Sequence, residues 1–413
     1  MKHRIRLQIG IALLCMLLAL ACTGEPGAQH STQPTETGVP AEEETYIEAV
    51  AVVQTSETPV PVTPAPTPEP TEAPTETPAP TAVSTPVRVT IGATGDVMAP
   101  STILDAVRQG KNEYDFTTLF APFAELFQSV DLMCCNLEVP LAGEQAGYSG
   151  KKDEKTGLFS FNAPDSLLDV LKASGVDLLT TANNHCMDKG SAGMFRTVEQ
   201  IRAAGLCQTG TYLNAADREN NPCVIEINGI RIGFVASTRV MNRVRMDLKE
   251  TEEHEVIGYL TAKGNNERIS EEVKTDIERV KKAGAEFVIV FAHWDYENDG
   301  PTAAATKTLA RQLFEAGADC IIGSHPHRIK GAEFMTVNRA DGPYTGLVLY
   351  SLGNFTASNA FEKMVGLFAE ITLEKDFTTG KVTLCDAAVI PSYVMRRSAK
   401  SARFVVMPVY SDP

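Results

Sequence analysis

A five-residue block with two histidines, Gly323–His327 (GSHPH), has the residue types and spacing best suited to metal chemistry. It follows a short apolar run, 318–322, that predicts a buried strand. Two histidines at i and i+2 in extended backbone project to the same side. Pro326 biases the preceding residue towards extended geometry, and Gly323 lets the chain turn off the strand end. Two imidazoles aimed at one point most commonly bind a metal ion.

Five further polar blocks also follow apolar runs that predict strands, at 89–94, 130–135, 176–181, 287–291 and 347–350. The blocks are Gly95–Asp96, Asn136–Glu138, Asn183–His185, His293–Trp294 and Ser351–Asn354. Ligands of α/β sheets bind beyond the carboxyl ends of the strands, so we expect all six blocks on one rim. Two carboxylates, an amide and three imidazoles there would hold one or two divalent ions, of zinc, manganese or iron.

Each block also has an interpretation that involves no ligand. Asp96 alone is typical of a turn residue that caps the next helix, and His293 alone is typical of a buried histidine with a backbone partner. Trp294 fits a pocket wall and the core equally well. Ser351 and Asn354 fit either a tight turn or a contact to substrate or to a ligand side chain. The convergence of six blocks favours the metal site.

The elements that must position these blocks alternate between strand and helix, which predicts an α/β fold. The spacing of apolar residues predicts helices at 117–129, 164–174, 191–204, 268–283 and 302–316. Alternating residues around Asn228-Gly229 predict a type I′ hairpin. A second alternating segment, 367–390, has a turn near Gly380, so we expect two sheets or a mixed sheet. The polar segment 240–266 predicts a mobile loop near the site.

The N-terminus predicts export. Basic residues precede the apolar run 9–20, which is short for a membrane span. The segment ends in Ala21-Cys22, which predicts a lipoprotein signal over residues 1–22 with Cys22 lipidated; an ordinary secretory signal is the alternative. Residues 23–86 are rich in Pro, Thr and Glu, which predicts a disordered linker that acts as a tether.

Composition limits the function of the remaining domain, 87–413. The chain as a whole carries a net charge of −15, which argues against a nucleic-acid-binding protein, since such a protein needs a basic face. Most of its cysteines lie in apolar strand contexts, so we expect buried thiols rather than a disulfide framework. A Cys207–Cys223 disulfide remains open.

The ordered set of motifs resembles a known family. Gly-Asp, Asn-x-Glu, Asn-Asn-His, His-Trp, Gly-x-His-Pro-His and Ser-Leu-Gly-Asn-Phe occur in the order found in the CapA/PgsA family of poly-γ-glutamate capsule biosynthesis proteins. That family is similar to the calcineurin-like metallophosphoesterases. The resemblance spans about residues 88–393 and implies a four-layer α/β/β/α sandwich with a metal centre at the strand ends.

The resemblance also implies roles for individual residues. The implied metal ligands are Asp96, Glu138, Asn184, His293, His325 and His327. His185 resembles the histidine that protonates the leaving group in metallophosphoesterases. Asn136, Asn183, Trp294, Ser351 and Asn354 are expected to contact substrate or to support the ligands.

Two positions depart from the phosphoesterase pattern. Met98 stands where those enzymes have a histidine, and Glu138 stands where they have an aspartate. A methionine sulfur is a poor ligand for a hard or borderline metal, so one metal position is expected to be weak, open or absent.

The sequence thus predicts a surface lipoprotein of the CapA type on the extracellular face of the bacterial cell membrane, or a secreted protein. Its expected function is capsule polymer biosynthesis or export, through a metal-dependent hydrolase-like site acting on an anionic polymer. The main alternative is a non-catalytic accessory subunit of a membrane synthase or export complex. A signalling or spore-related surface protein that reuses the fold is a third reading.

Overall fold

The computed structural model describes residues 5–6, 85–297, 300–358, 360–397 and 404–410. The predicted signal peptide, which ends at Cys22, and the predicted linker lie outside these residues. The exceptions are the backbone of 5–6 and the last two linker residues, 85–86. Within the described part of the chain, no helix is long and apolar enough to cross a membrane.

Helices and strands alternate along the chain. The helices are α1 Ser101–Val107, α2 Thr117–Phe120, α3 Ala124–Phe127, α4 Ser166–Ser174, α5 Gly190–Ala203, α6 Ala215–Asn220, α7 Glu250–Val256, α8 Glu271–Lys282 and α9 Ala304–Ala316. Short 3-10 segments are Ala121–Phe123, Glu144–Ala146 and Phe361–Lys363.

The strands run from the N-terminus to the C-terminus in the following order. They are β1 Ile5–Arg6, β2 Val87–Val97, β3 Leu132–Leu137, β4 Ser149–Lys152, β5 Phe159–Asn162, β6 Leu178–Thr180, β7 Cys207–Thr209, β8 Val224–Ile227, β9 Ile230–Thr238, β10 Thr261–Ala262, β11 Asn265–Ile269, β12 Phe287–His293, β13 Cys320–Ser324, β14 Ile329–Arg339, β15 Gly342–Leu352, β16 Asn354–Thr356, β17 Val365–Asp376, β18 Lys381–Arg396 and β19 Phe404–Pro408.

Two large mixed sheets carry the predicted blocks. The first sheet has the order β1-β18-β17-β2-β3-β6-β7, with β16 on β2 and β19 on β18. Its strands β2, β3, β6 and β7 are parallel to one another. The second sheet has the order β14-β15-β13-β12-β9-β8, in which β15, β13, β12 and β9 are parallel. The expected mixed α/β fold with more than one sheet is confirmed.

Three apolar clusters pack against these sheets. One contains residues of both sheets, such as Ile91 and Cys134 of the first and Ile289 and Ile322 of the second. A second joins the first sheet to helices α1 to α4, and a third joins the second sheet to α8 and α9. Strand β3 is buried along its whole length because its alternate side chains enter two different clusters.

Several local predictions are confirmed. Asn228 and Gly229 have φ of 51° and 75°, as a type I′ turn requires, and they join β8 to β9. Strands β17 and β18 form the second predicted hairpin. Five of the domain's seven cysteines are buried, as expected of thiols in apolar strands, and the structure does not join Cys207 to Cys223.

Two local predictions are wrong. The helix expected over 117–129 is broken into α2, a 3-10 segment and α3, because Pro122 lacks the amide hydrogen that a continuous helix needs. The segment 240–266, expected to be a loop, contains α7, β10 and β11. Met241 and Ile257 are fully buried and anchor this segment in an apolar cluster.

The chain passes from the second sheet to the first at Gly353, which lies between β15 and β16 and has φ of 70°. Its carbonyl accepts a 3.0 Å hydrogen bond from the amide of Asp96. A Cβ atom on Gly95 would lie 1.8 Å from that same carbonyl oxygen. The close approach of these two backbones therefore depends on a glycine at position 95, and it sets how near Asp96 lies to the second sheet.

We predict that Gly95→Ala destabilises the protein, because the added methyl group forces the two backbones apart. Overpacking of this kind lowers the free energy of unfolding by about 1–3 kcal/mol. Chemical denaturation of the full chain measures the loss. Gly331→Ala is the matched control, since Gly331 lies in a strand and nothing within 4 Å would meet its Cβ. Equal stability of the two variants would contradict this reading of the crossing.

Candidate metal centre

The six predicted blocks lie together at the carboxyl ends of strands from both sheets. Blocks on β2, β3 and β6 come from the first sheet, and blocks on β12, β13 and β15 come from the second. The six implied ligand residues are all buried, with 0 to 5% of each exposed. They are Asp96, Glu138, Asn184, His293, His325 and His327.

The backbone of the histidine pair differs from the prediction. Strand β13 ends at Ser324, and His325 and His327 then have φ of 92° and 57°, so neither is extended. Left-handed backbone is strained for a histidine, and such strain occurs mainly at functional sites. The amide of His325 donates to Asp96 Oδ2 at 3.3 Å, which helps to hold this turn. Both imidazoles reach the site by this turn and not by the expected alternation.

Glu138 lies at the middle of the cluster. Its carboxylate belongs to two groups whose ligand atoms lie within 4.8 Å of one another, one with His293 and His325 and one with Asp96 and His327. Glu138 Oε1 is 3.7 Å from Nε2 of His293 and 3.7 Å from Nε2 of His327. These distances exceed those of hydrogen bonds.

Several buried atoms of the cluster have no hydrogen-bond partner among the described residues. These atoms are both carboxylate oxygens of Glu138 and Nδ1 of His325. A buried carboxylate without a partner is strongly unfavourable, and a bound cation removes that cost. The donors are imidazole nitrogens and carboxylate and amide oxygens, which suit a borderline divalent metal. The residues present therefore fit a metal ion.

Hydrogen bonds on the outer side of His293 orient its ring. Ser324 Oγ lies 2.8 Å from His293 Nδ1, so Nε2 faces the centre. Asn184 Oδ1 is 2.9 Å from that Nε2, a distance that suits either a hydrogen bond or two ligands of one ion. Histidine ligands commonly carry such a partner on the nitrogen that does not bind the metal.

The amide side chains at 136 and 183 support Asp96. Asn136 donates from Nδ2 to Asp96 Oδ1 at 2.7 Å. Asn183 donates to Asn136 Oδ1 at 3.3 Å and to the carbonyl of Leu137 at 2.9 Å. This buried chain of hydrogen bonds fixes which way the Asp96 carboxylate points.

His185 borders the cluster without belonging to either group of ligand atoms. Its Nδ1 lies 2.7 Å from Asp188 Oδ2, and its Nε2 lies 4.0 Å from Glu138 Oε1. The ring of Phe161 packs on it at 4.4 Å between centroids. Asn242 Nδ2 is 3.2 Å from Nε2. The ring is thus held with Nε2 towards the ligands and the adjoining cavity.

A cavity of about 520 Å³ opens beside the cluster. His185, His327 and Asn354 reach it from the ligand side, and Met98 lies in its wall. The hairpin β4–β5 supplies another wall, and Ala357, Ser358 and Lys363 supply a further one. Cationic, hydroxyl and aromatic side chains line it: Lys151, Lys152, Lys363, Ser101, Thr102, Ser358, Phe159 and Phe161.

Two predicted site residues lie elsewhere. Trp294 is fully buried in the cluster that joins the second sheet to its helices, and it donates to the carbonyl of Tyr350 at 3.0 Å. Trp294 therefore contributes to the core and does not line the cavity. Ser351 accepts from the amide of Gly353 at 3.1 Å, which is a turn contact.

The sequence interpretation did not single out Ser324, Asp188, Asn242, Glu297 or Lys363 as site residues. Asp188 follows His185 by three residues, a spacing that could have predicted the contact between the two side chains. Glu297 and Lys363 are 66 positions apart and form an ion pair beside His327. No local pattern in the chain indicates that pairing.

Burial shifts the pKa values of the central groups. Burial, followed by the nearby Asp96, raises the pKa of Glu138 well above its ordinary value. Burial and the neighbouring histidines lower the pKa of His293 and bring that of His325 to about 3. At neutral pH both imidazoles are neutral, which is the form that binds metal, and metal binding also requires the ionised form of Glu138.

We predict that metal-free Glu138→Gln is more stable than the metal-free wild-type protein at neutral pH. A carboxyl group with a raised pKa stabilises the fold when protonated, and this stabilisation is lost as pH rises from the ordinary value of 4.5 through the raised pKa. The advantage of the variant should therefore grow as the pH rises from about 4.5 through the raised pKa and stay constant above it. Urea denaturation in chelator measures it, with Glu333→Gln, at a half-buried glutamate outside the cluster, as control. A difference that does not change with pH would contradict the assignment.

Comparisons of the chain with a family model and with known proteins point to the same family. The model of the bacterial capsule synthesis protein family PGA_cap matches residues 90–359, more than half of the chain. The capsule biosynthesis protein CapA of Bacillus anthracis is 26% identical over 268 residues, covering 65% of this chain and 59% of that protein. The PGA biosynthesis protein CapA of Bacillus subtilis is 27% identical over 239 residues, covering 58% and 56%.

The chain thus matches somewhat more than half the length of these two relatives. A crystal structure described as a novel phosphatase of Mycoplasma pneumoniae aligns with 73% of this chain and 94% of its own, at 15% identity and a TM-score of 0.36, too low to support an inference. The family match covers the strands and loops that carry all six blocks. The chain belongs to the PGA_cap family of bacterial capsule synthesis proteins.

Proposed function

We propose that this protein takes part in the synthesis or export of a capsule polymer of the poly-γ-glutamate type, through a metal-dependent hydrolase-like site. The observation that carries this proposal is Glu138, a fully buried carboxylate with both oxygens unpartnered among the described residues and three imidazoles around it. The proposal includes the four-layer α/β/β/α arrangement, which the three apolar clusters support.

In this proposal two ion positions share Glu138. His293, His325 and Asn184 would hold one ion with it, and Asp96 and His327 would hold the other. The ions would be of zinc, manganese or iron, and they would supply Lewis-acid stabilisation of charge that develops on the substrate.

The proton step is assigned to His185. Its Nε2 faces the cavity and the ligands, and would donate a proton to the leaving group. Asp188 would keep its hydrogen bond to Nδ1 throughout and would stabilise the charged imidazolium before transfer. Asn242 and Phe161 would prevent rotation of the ring. The bond cleaved is proposed to be an amide or a phosphoester.

The proposed substrate is an anionic polymer. Although the chain as a whole carries a net charge of −15, the cavity presents Lys151 and Lys152 on one wall. Both lysines lie on the β4–β5 hairpin. Gly150 seats that hairpin against the backbone of 99–101, where a Cβ would meet atoms at 2.3 Å. Cationic side chains in the wall of a cavity favour a ligand with carboxylate or phosphate groups.

The proposed location is the extracellular face of the bacterial cell membrane. Cys22 would carry the lipid, and residues 23–86 would let the domain reach a membrane synthase or export complex. The names of the two CapA relatives, which refer to capsule and PGA biosynthesis, support a place in the cell envelope.

One observation favours a second candidate, a non-catalytic accessory subunit that guides the polymer. Met98 lies in the cavity wall, and its amide and carbonyl both bond to Thr356 Oγ1. Met98, a residue that binds hard metals poorly, is thus held close to the ligands. In this candidate the metal centre would hold the fold or the polymer without turnover.

We predict that the purified full-length protein contains a divalent metal and hydrolyses generic phosphoester or γ-glutamyl substrates. His185→Ala should reduce turnover by about 100-fold or more, because it removes the general acid, and should leave the metal content unchanged. Metal analysis and initial rates measure both quantities. His254→Ala, at a histidine away from the cluster, is the control.

Absence of metal, together with absence of turnover across added metals, would rule out the hydrolase. Metal without turnover, with normal capsule production by the His185→Ala strain, would favour the accessory candidate.

A separate prediction concerns anchoring. Cys22→Ser should abolish lipid attachment and move the full-length protein from the membrane fraction to the soluble fraction, because one polypeptide without its acyl chains has little affinity for the bilayer. Mass spectrometry and fractionation test this, with Cys15→Ser, inside the apolar run, as control. A variant that stays with the membrane and keeps its lipid would show that Cys22 is not the anchor.

A further inference from the structure

The hydrogen bonds around His327 show which of its ring nitrogens is free. Asn354 donates from Nδ2 to the carbonyl of Lys363 at 2.8 Å, so its Oδ1 faces His327. His327 Nδ1 lies 2.9 Å from that oxygen and must therefore donate. It also lies 3.3 Å from Asp96 Oδ2, another acceptor. In the neutral form of the ring, Nε2 then carries the lone pair.

That lone pair faces two carboxylates. Nε2 is 3.7 Å from Glu138 Oε1 and 3.9 Å from Glu297 Oε1. Three electron-rich atoms at such distances repel each other, and they are too far apart for hydrogen bonds. A cation between them would replace this repulsion with attraction, since ligand atoms lie about 2.0–2.2 Å from ions such as zinc.

Glu297 itself is held by a second interaction. It lies in the connection between β12 and α9, and its Oε2 forms an ion pair with Nζ of Lys363. With Oε2 occupied in this way, Oε1 remains directed towards His327. Lys363 contacts Glu297 directly through its ammonium group, and its carbonyl holds Asn354, which in turn contacts His327.

From this geometry we infer that Glu297 is an additional ligand of the metal position formed by Asp96, Glu138 and His327, and that Lys363 is the positioning residue that aims it. The orphaned buried oxygens of Glu138 are an independent sign that an ion belongs here. The inference rests on the metal centre of the proposed function and does not depend on hydrolysis.

With Glu297 as a ligand, the ion position formed by Asp96, Glu138 and His327 gains an oxygen donor that Met98 cannot provide. Met98 and Glu297 both line the cavity next to His327. A carboxylate oxygen suits manganese, iron or zinc, whereas a thioether suits softer ions. The position would then have three carboxylates and one imidazole, a set rich in the oxygen donors that suit manganese.

The test is calorimetric titration of the metal-free full-length protein with Mn²⁺ alone. Glu297→Gln should weaken binding at one position by about tenfold or more, and Lys363→Met should weaken it by about tenfold, as loss of a residue that orients a ligand does. The double variant should bind no more weakly than Glu297→Gln, because Lys363 acts through Glu297.

The ion pair Lys307–Glu333 lies outside the cluster and provides matched controls, since its carboxylate side chain is 38% exposed against 44% for Glu297. Lys307→Met and Glu333→Gln should leave Mn²⁺ affinity unchanged. Far-ultraviolet circular dichroism of the metal-free variants verifies that they are folded.

Three results of these titrations would overturn parts of the inference. Mn²⁺ binding by Glu297→Gln that equals wild type in affinity and stoichiometry overturns the ligand assignment while leaving the proposed function intact. If the losses of Mn²⁺ affinity in Glu297→Gln and Lys363→Met add in the double variant, the positioning role of Lys363 is overturned. A wild-type protein that binds neither Mn²⁺ nor Zn²⁺ overturns both the inference and the proposed metal centre.

Discussion

The close approach of Gly95 to Gly353 is the constraint on which the site depends. The chain leaves the second sheet at Gly353 and joins the first sheet as β16 beside Asp96. This crossing brings the carboxyl ends of strands from two sheets to one place. Without it, Asp96 and Glu138 would have no reason to lie near the histidines at 293, 325 and 327. Backbone sterics at one pair of glycines thus determine side-chain chemistry across two sheets.

The assembled cluster has an electrostatic imbalance that the described residues do not resolve. Glu138 is buried without hydrogen-bond partners in that part of the chain, and burial raises its pKa. Burial and the neighbouring histidines lower the pKa of His293 and of His325, so these two rings provide no positive charge at neutral pH. The outer contacts of Ser324 and Asn354 orient the rings towards this centre. A divalent ion satisfies these requirements together, since it supplies the missing charge to neutral imidazoles and an ionised carboxylate.

The sequence predicted which residues form this cluster better than it predicted their backbone conformation and contacts. Polar residues after apolar strands converge because parallel strands end on one rim, a rule that needs no long-range information. The same reasoning could have separated His293 from Trp294, because neighbours in a strand face opposite sides. The left-handed backbone of His325 and the ion pair of Glu297 with Lys363 arise from loop geometry. Contacts between residues 66 positions apart leave no periodic trace in a single chain.

The central claim is that an ion lies at Glu138, between the two sheets. Anomalous diffraction from crystals of the protein grown with Mn²⁺, recorded on both sides of the metal absorption edge, tests it most directly. The account predicts a peak about 2.0–2.3 Å from a Glu138 oxygen and from a nitrogen of His325 or His327. A cluster without an anomalous peak, in which ordered waters donate to both oxygens of Glu138, would contradict it.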